Sequence, residues 1–413
     1  MGPEEHKNMS TATRTSASDW FFPEIDFAMD PLPDFHSRMA ELRDSGQRVV
    51  PVKYLGETAW IILRHDDVSA LYRNEAGVPA GPAYRRHSEP AQGKTLLCME
   101  GDEHRVNRLL VSGAFHPGAI RRSISTLLRP LADELIDGLT GQTGVDLVAA
   151  YTHRYPFKVI TGLLGIPVAD EPELHQWLQG LFQFPWNPEL ALEARAAITA
   201  YLAPIVRQRR ADPREDLLSL LATAVVEGKQ LSDEEIFSFV RLIFPAGADT
   251  TYLSLGSLLW AVLRDDTLRQ QLRAEPALHA AAVDEGLRLY GAVCLQPRYT
   301  EREVVVAGVT IPANSPLLYG NATANRDPAV FADADTFQLD RGAHHKSVTF
   351  GGGPHFCLGS HLARAEIEVS LGALLARLPG LRLADPAQPG PQGAVLRGVR
   401  ELPVLFDTVL PAE

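Results

Sequence analysis

Cysteine is scarce in this chain. Cys98, Cys294 and Cys357 are the only three in 413 residues, too few for a disulfide framework, and none stands in a CxxC or HxxxH pairing that would hold zinc. A reduced, cytoplasmic setting is expected. No apolar h-region opens the chain: Met1 to Ser18 is polar and rich in Ser and Thr, which reads as a disordered leader and not as a signal peptide or membrane anchor. His6 spoils the myristoylation pattern that Gly2 would begin. No Gly/Ser linker, repeat or low-complexity tract divides the rest, so one domain is expected over 19–413. Positive charge is in deficit, with a net charge of -12, which argues against nucleic acid as the main partner.

What the chain does have is ample apolar material, 45% of residues, and one unusual loop. Phe350-Gly-Gly-Gly-Pro-His-Phe-Cys-Leu-Gly359 runs into a stretch with helical apolar spacing, in which Leu362, Ile367, Leu371, Leu374, Leu375 and Leu378 share one stripe. A sulfur at a helix N-terminus feels the positive end of the dipole, which favours thiolate. Glycines let such a loop approach a flat ligand closely. A plain turn followed by a buried, inert cysteine is the simpler alternative, and residue chemistry alone leaves both open.

Helical patterns dominate elsewhere. Pro51 to Leu63 reads as a β-hairpin and Asp66 to Arg73 as a short helix. Val78 to Thr95, rich in Pro and Gly without periodicity, reads as a long mobile loop. Asp102 to Leu181 is helix-rich, with interruptions expected at Pro117, Pro156 and Pro167. Ser232 to Arg264 is the longest helical pattern, opened by an N-cap with an acidic first turn, and another runs from Glu275 to Leu289. β-type residues return at Arg298 to Leu318 and as a pair near Val395 to Phe406.

Inside the long helix lies Phe244-Pro-Ala-Gly-Ala-Asp-Thr-Thr251. Proline and glycine side by side in a helix interior predict a local irregularity. A kinked core helix with Thr250 bonded back to a carbonyl would account for it structurally. Glu285 and Arg288 sit three apart on one helix face, and His104 and Arg108 four apart on another; ion pairing and a solvated face are the ordinary readings.

Taken together these strings resemble the cytochrome P450 family. Phe350, Gly351, Gly353, His355, Cys357 and Gly359 fall in register with its haem-ligating signature, Gly247, Asp249, Thr250 and Thr251 with its oxygen-activation segment, and Glu285 and Arg288 with its Glu-x-x-Arg element. The resemblance covers Trp20 to Phe406 and implies a mainly α, triangular fold with small β-sheets. It implies haem b held by Cys357 as the sole protein ligand to the metal, with His104, Arg108, Arg298 and His355 on the propionates. Ala246, Gly247, Phe350, Gly351 and Gly359 would line the cofactor, and Glu285, Arg288 and Arg341 would brace the core. Thr250 would donate to the oxygen being activated while Asp249 relays protons.

The substrate pocket is expected to draw on Tyr84, Leu97, Phe182, Trp186, Phe244, Ala246, Val293, Cys294, Leu295 and Val399. The resemblance implies a monomeric monooxygenase that inserts one atom of O2 into a hydrophobic small molecule, terpenoid or steroid-like, by hydroxylation or epoxidation. No flavin or iron–sulfur module is recognisable in the sequence, so electrons would come from a ferredoxin and a ferredoxin reductase. Arg105, Arg121, Arg122 and Arg364 would offer the docking patch. The missing apolar N-terminal helix points to the soluble, bacterial-type branch. A peroxide-using or non-oxidative haem-thiolate enzyme and a non-catalytic haem sensor stand as alternatives.

Overall fold

The computed structural model describes residues 20–167, 171–182, 184, 187–342 and 344–412; the expected leader lies outside them. The hairpin forms as expected. Val49–Tyr54 pairs antiparallel with Glu57–Ile62, and Leu55 and Gly56 both take positive φ (51° and 76°), the backbone of a tight hairpin turn. The second strand lies parallel to Pro316–Gly320, which pairs antiparallel with Leu295–Tyr299. This four-stranded sheet buries Val50, Val52, Ile61 and Leu318 on Phe35, Met39 and Leu42 of the Phe35–Asp44 helix. A larger core lies among the helices.

The Ser232 cap is a full capping box. Its hydroxyl accepts from Glu235 N–H, and the Glu235 carboxylate accepts from Ser232 N–H at 2.8 Å. The helix then runs Asp233–Phe244, passes through a π-helical turn at Pro245–Asp249, and resumes as Thr250–Arg264. Pro245 has no N–H to give the carbonyl four residues back, and the wider turn accommodates that loss. The expected irregularity is therefore a bulge in a continuous helix.

Several expectations need correction. Residues 78–95 contain two helices, Gly81–His87 and Glu89–Gln92, each with proline in its first two positions. Pro82 and Pro90 start these helices within the stretch expected to be a loop. Fully buried Arg241 fastens the second of them, donating to the Gln92 carbonyl at 3.2 Å and to Glu234 at 2.9 Å. Pro156 sits in the first turn of the Arg154–Leu164 helix without interrupting it, whereas Pro117 opens a helix and Pro167 follows one. The Glu275 helix begins later, at His279–Tyr290, after a 3-10 turn. Pro403–Leu405 pairs with Arg382–Leu383 and Gly144–Asp146, while residues 392–398 form a separate bridged turn.

Glu285 and Arg288 are fully buried. Arg288 Nε and Nη2 donate to the two carboxylate oxygens at 2.8 and 2.7 Å, and its Nη1 reaches the carbonyls of Asn325 and Ala334. Arg341 Nε adds a third contact to Glu285 at 2.9 Å. Burial alone would raise the Glu285 carboxyl; the two guanidiniums outweigh it and hold the group below its ordinary range. Its depressed pKa contributes stability that is present above the ordinary carboxylate pKa and lost as pH falls through the folded value. Replacing Glu285→Gln leaves two buried cations under-compensated and is expected to cost roughly 3–5 kcal/mol. Urea unfolding at neutral pH checks this, and in the variant the midpoint should lose part of its decline at acid pH.

Candidate functional site

The glycine loop is held closed from within. Cys357 N–H donates to the Phe350 carbonyl at 3.0 Å and Phe356 N–H to the Gly353 carbonyl at 3.1 Å, after which Ser360–Arg377 forms the expected helix. Gly351 (φ +70°) and Gly353 (φ +64°) take left-handed backbone conformations. They permit a close approach to Tyr72: an added Cβ on Gly353 would collide with the Tyr72 carbonyl oxygen. A Cβ on Gly359, by contrast, meets nothing within 4 Å. The Phe350 ring carries the Arg364 guanidinium 4.5 Å from its centroid.

Cys357 is a free thiol. Burial pushes its pKa up, and the Gly359 N–H, Arg108 and Arg364, which favour thiolate, do not reverse that. Dipole and cations alone therefore do not make the thiolate expected from sequence; a bound metal would, since coordination deprotonates a thiol outright. Among the described residues no group of three His, Cys, Asp or Glu side chains converges as a metal site. A cofactor that brings its remaining ligands with it fits such a lone sulfur.

Beside the loop lies a cluster of cations short of anions. His104 and Arg108 come from the Gly101–Ser112 helix, Arg298 from the sheet and His355 from the loop. The rings of His104 and His355 are 4.0 Å apart. Arg298 is buried over the faces of Tyr72 and Tyr319, 5.8 and 5.2 Å from their centroids. No carboxylate among the described residues forms an ion pair with Arg298, and the only hydrogen bond of the Arg108 guanidinium there is to the Phe356 carbonyl, at 2.6 Å. His104 Nε2 and Tyr319 Oη are buried without hydrogen-bond partners. Burial, His355 and Arg108 lower His104 to about 4. Unpaired buried donors of this kind fit a ligand carrying carboxylates, which the propionates of haem supply. Glu75, 3.2 Å from His355, and Tyr319 joined the cluster without any warning in the sequence.

On the bulged helix, Ala246 is exposed although Phe244, Pro245 and Ala248 around it are buried, so that face abuts a hollow. Thr250 Oγ donates to the Ala246 carbonyl at 2.7 Å, which leaves its oxygen free to accept. Asp249 is half-buried; desolvation raises it to about 6 against the opposing pull of Arg400. A Cβ on Gly247 would press on Ile160, so the glycine permits close helix packing there.

A sequence model of the cytochrome P450 family matches residues 27–379. This chain belongs to that family. Its relatives include the mycinamicin IV hydroxylase/epoxidase of Micromonospora griseorubida, 36% identical over 91% of this chain and 98% of that one. Pentalenic acid synthase of Streptomyces avermitilis is 34% identical over 86% and 90% respectively. The solved structure of cytochrome P450 CYP109Q5 from Chondromyces apiculatus superposes with a TM-score of 0.84 at 28% identity, covering 92% of this chain and 97% of that one. The protein is thus a P450 monooxygenase of the type found in bacteria: it binds haem b and uses O2 on a hydrophobic substrate. No helix among the described residues is long and apolar enough to cross a membrane.

The P450 pocket expectations divide. Tyr84, Leu97 and Val293 are partly accessible and Ala246 is exposed. Phe244, Cys294, Leu295 and Val399 are 2%, 2%, 0% and 2% exposed. These four are packed into the hydrophobic core. Phe244 packs on Phe157, and Cys294 and Leu295 pack in the sheet cluster. Trp186 and the side chain of Phe182 lie outside the described residues. Gln296, which donates to Tyr84 Oη, was missed; a polar residue among β-formers carries no signal of its own. Arg298→Leu should release haem at least about tenfold faster, matching loss of a charged hydrogen bond of ~1.5–3 kcal/mol. Haem transfer to an apoprotein acceptor measures this, and an unchanged rate removes Arg298 from the cluster.

Proposed function

We propose that Cys357 is the single protein ligand of the haem iron, with His104, Arg108, Arg298, His355 and Tyr319 receiving the propionates. The observation that carries this reading is the set of buried donors lacking anions beside a loop that presents one sulfur. Haem b with a thiolate ligand activates dioxygen for insertion into a C–H bond or a double bond. The polypeptide holds the sulfur through Phe350 and Gly359, balances two carboxylates with Arg108 and Arg298, and excludes water by burying the cluster. Thr250, tethered to Ala246, orients a hydroxyl toward the hollow, and Asp249 carries a proton at a pKa near the working pH.

The substrate we propose is a bulky, largely apolar natural product, terpenoid- or steroid-like, undergoing hydroxylation or epoxidation. Two things support this: the exposed apolar Ala246 beside the bulge, and the natural-product names of the relatives above. Electrons are proposed to arrive from a ferredoxin and its reductase, with the protein a cytoplasmic monomer forming one haem domain over 19–413. Of the four arginines expected at the docking face, Arg105 is bound to Asp102 and Glu227 and Arg364 to Asp284. That leaves exposed Arg121 and Arg122 as the charges an acidic ferredoxin would meet.

Cys357→Ala is expected to abolish the thiolate-type, red-shifted carbon monoxide spectrum of the reduced protein, and its retention would refute the ligand. Thr250→Ala should keep oxygen consumption but divert most of it to hydrogen peroxide. A product-to-oxygen ratio equal to that of the parent counts against the role given to Thr250.

A further inference from the structure

Behind the bulged helix, on the face away from Ala246, is a second and much smaller space. It measures about 20 Å³, with Phe157, Leu178 and Phe244 among its apolar walls. Its side-chain polar groups are Asp249, His153, His175 and Gln179. That volume holds one water molecule, and four polar groups are enough to bond it. Gln179 is exposed and both histidines are half-buried, so the polar side of this space runs from the surface to the Asp249 carboxylate. We propose that His153 and His175 carry protons from solvent to Asp249 through this space. The proposal rests on the reading that Asp249 handles protons for turnover.

The geometry suits the task. The two imidazoles meet edge to face, 4.7 Å between centroids and 77° between planes. Both come from elements packed beside the bulge: His153 precedes the Arg154–Leu164 helix and His175 lies on Glu171–Phe182. Tyr252 lies against His153 at 4.8 Å and receives Arg400 at 3.2 Å. Arg400 is therefore the cation facing Asp249 from the C-terminal segment, and Tyr252 the phenol facing it from the helix. Asp249 is raised to about 6 by burial, while burial and His175 lower His153 from its ordinary value. In each transfer an imidazolium gives one proton to the Asp249 carboxylate, leaving imidazole and carboxylic acid. The imidazole then takes a proton from solvent; no electron moves.

The test uses the holoenzyme and needs no identified substrate. Histidine ring signals are followed by NMR from pH 5 to 8 in the parent and in Asp249→Asn. If His153 and His175 exchange protons with Asp249, loss of its carboxylate should lower their midpoints; unmoved midpoints overturn the proposal. Oxygen consumption driven by NAD(P)H, reductase and ferredoxin, which draws two protons per peroxide formed, is then compared among variants with an intact carbon monoxide spectrum. The His153→Phe/His175→Phe pair and the His153→Gln/His175→Gln pair should both slow it about tenfold or more, with a larger solvent deuterium isotope effect. A Gln pair running at the parent rate would mean that the rings only pack, and overturns the conduit. Slow Asp249→Asn with unaffected histidine variants overturns the conduit alone, whereas parental rates in Asp249→Asn remove the role of Asp249 beneath it.

Discussion

Everything on the cysteine side of the molecule depends on one buried carboxylate. Glu285 holds Arg288 and Arg341 and also accepts from the Gln338 N–H at 3.1 Å. Through Arg288 it fixes the carbonyls of Asn325, Ala334 and Thr336. A segment with little regular structure, 325–341, is thereby pinned by charge-assisted hydrogen bonds instead of by a ladder. Asn325 in turn fixes the start of the Cys loop, its side-chain oxygen accepting from Val348 N–H at 2.8 Å. The loop that presents Cys357 is thus positioned by a chain of polar contacts rooted in Glu285. Buried ion clusters contribute little net stability over apolar packing, but they specify one geometry sharply.

The cation cluster follows the opposite logic. Glu285 is satisfied within the polypeptide, whereas Arg298 and His104 are not. Desolvating a guanidinium without an anion is costly, and the aromatic faces of Tyr72 and Tyr319 offset only part of that cost. On the proposed reading, the propionates of haem would be the complement of this group. Haem binding to these residues would then be energetically linked to folding.

Much of this was legible from the residues, and what was not has physical causes. The hairpin, the capped long helix, its bulge and the Ser360 helix each rest on local signals: turn glycine, capping box, misplaced proline, apolar stripe. The Glu285–Arg288 pair was legible from spacing and Arg341 only from the family resemblance, and neither could say that the group is buried. Pro82 and Pro90 misled because proline both ends helices and begins them. The pocket was the weakest reading. Whether Cys294 or Leu295 faces a hollow or a sheet is decided by tertiary packing, and both possibilities look identical as an apolar run. Gly247 and Gly353 were placed in the right motifs, but the close contacts that require them are with Ile160 and Tyr72, which no sequence spacing reveals.

The bulge at Pro245–Asp249 has one more consequence. A π-helical turn is an α-helix with a residue inserted, and each residue turns the helix by about 100°. The extra residue turns everything after it, so Thr250–Arg264 meets its neighbours with a face about 100° from the one an uninterrupted helix would present. Losing a single codon here would rotate the whole downstream helix, sending Asp249 and Thr250 to the wrong sides without altering the character of either. For this part of the chain, reading frame in space matters more than residue identity. Natural variation in length should therefore be far rarer at the bulge than variation in side chains.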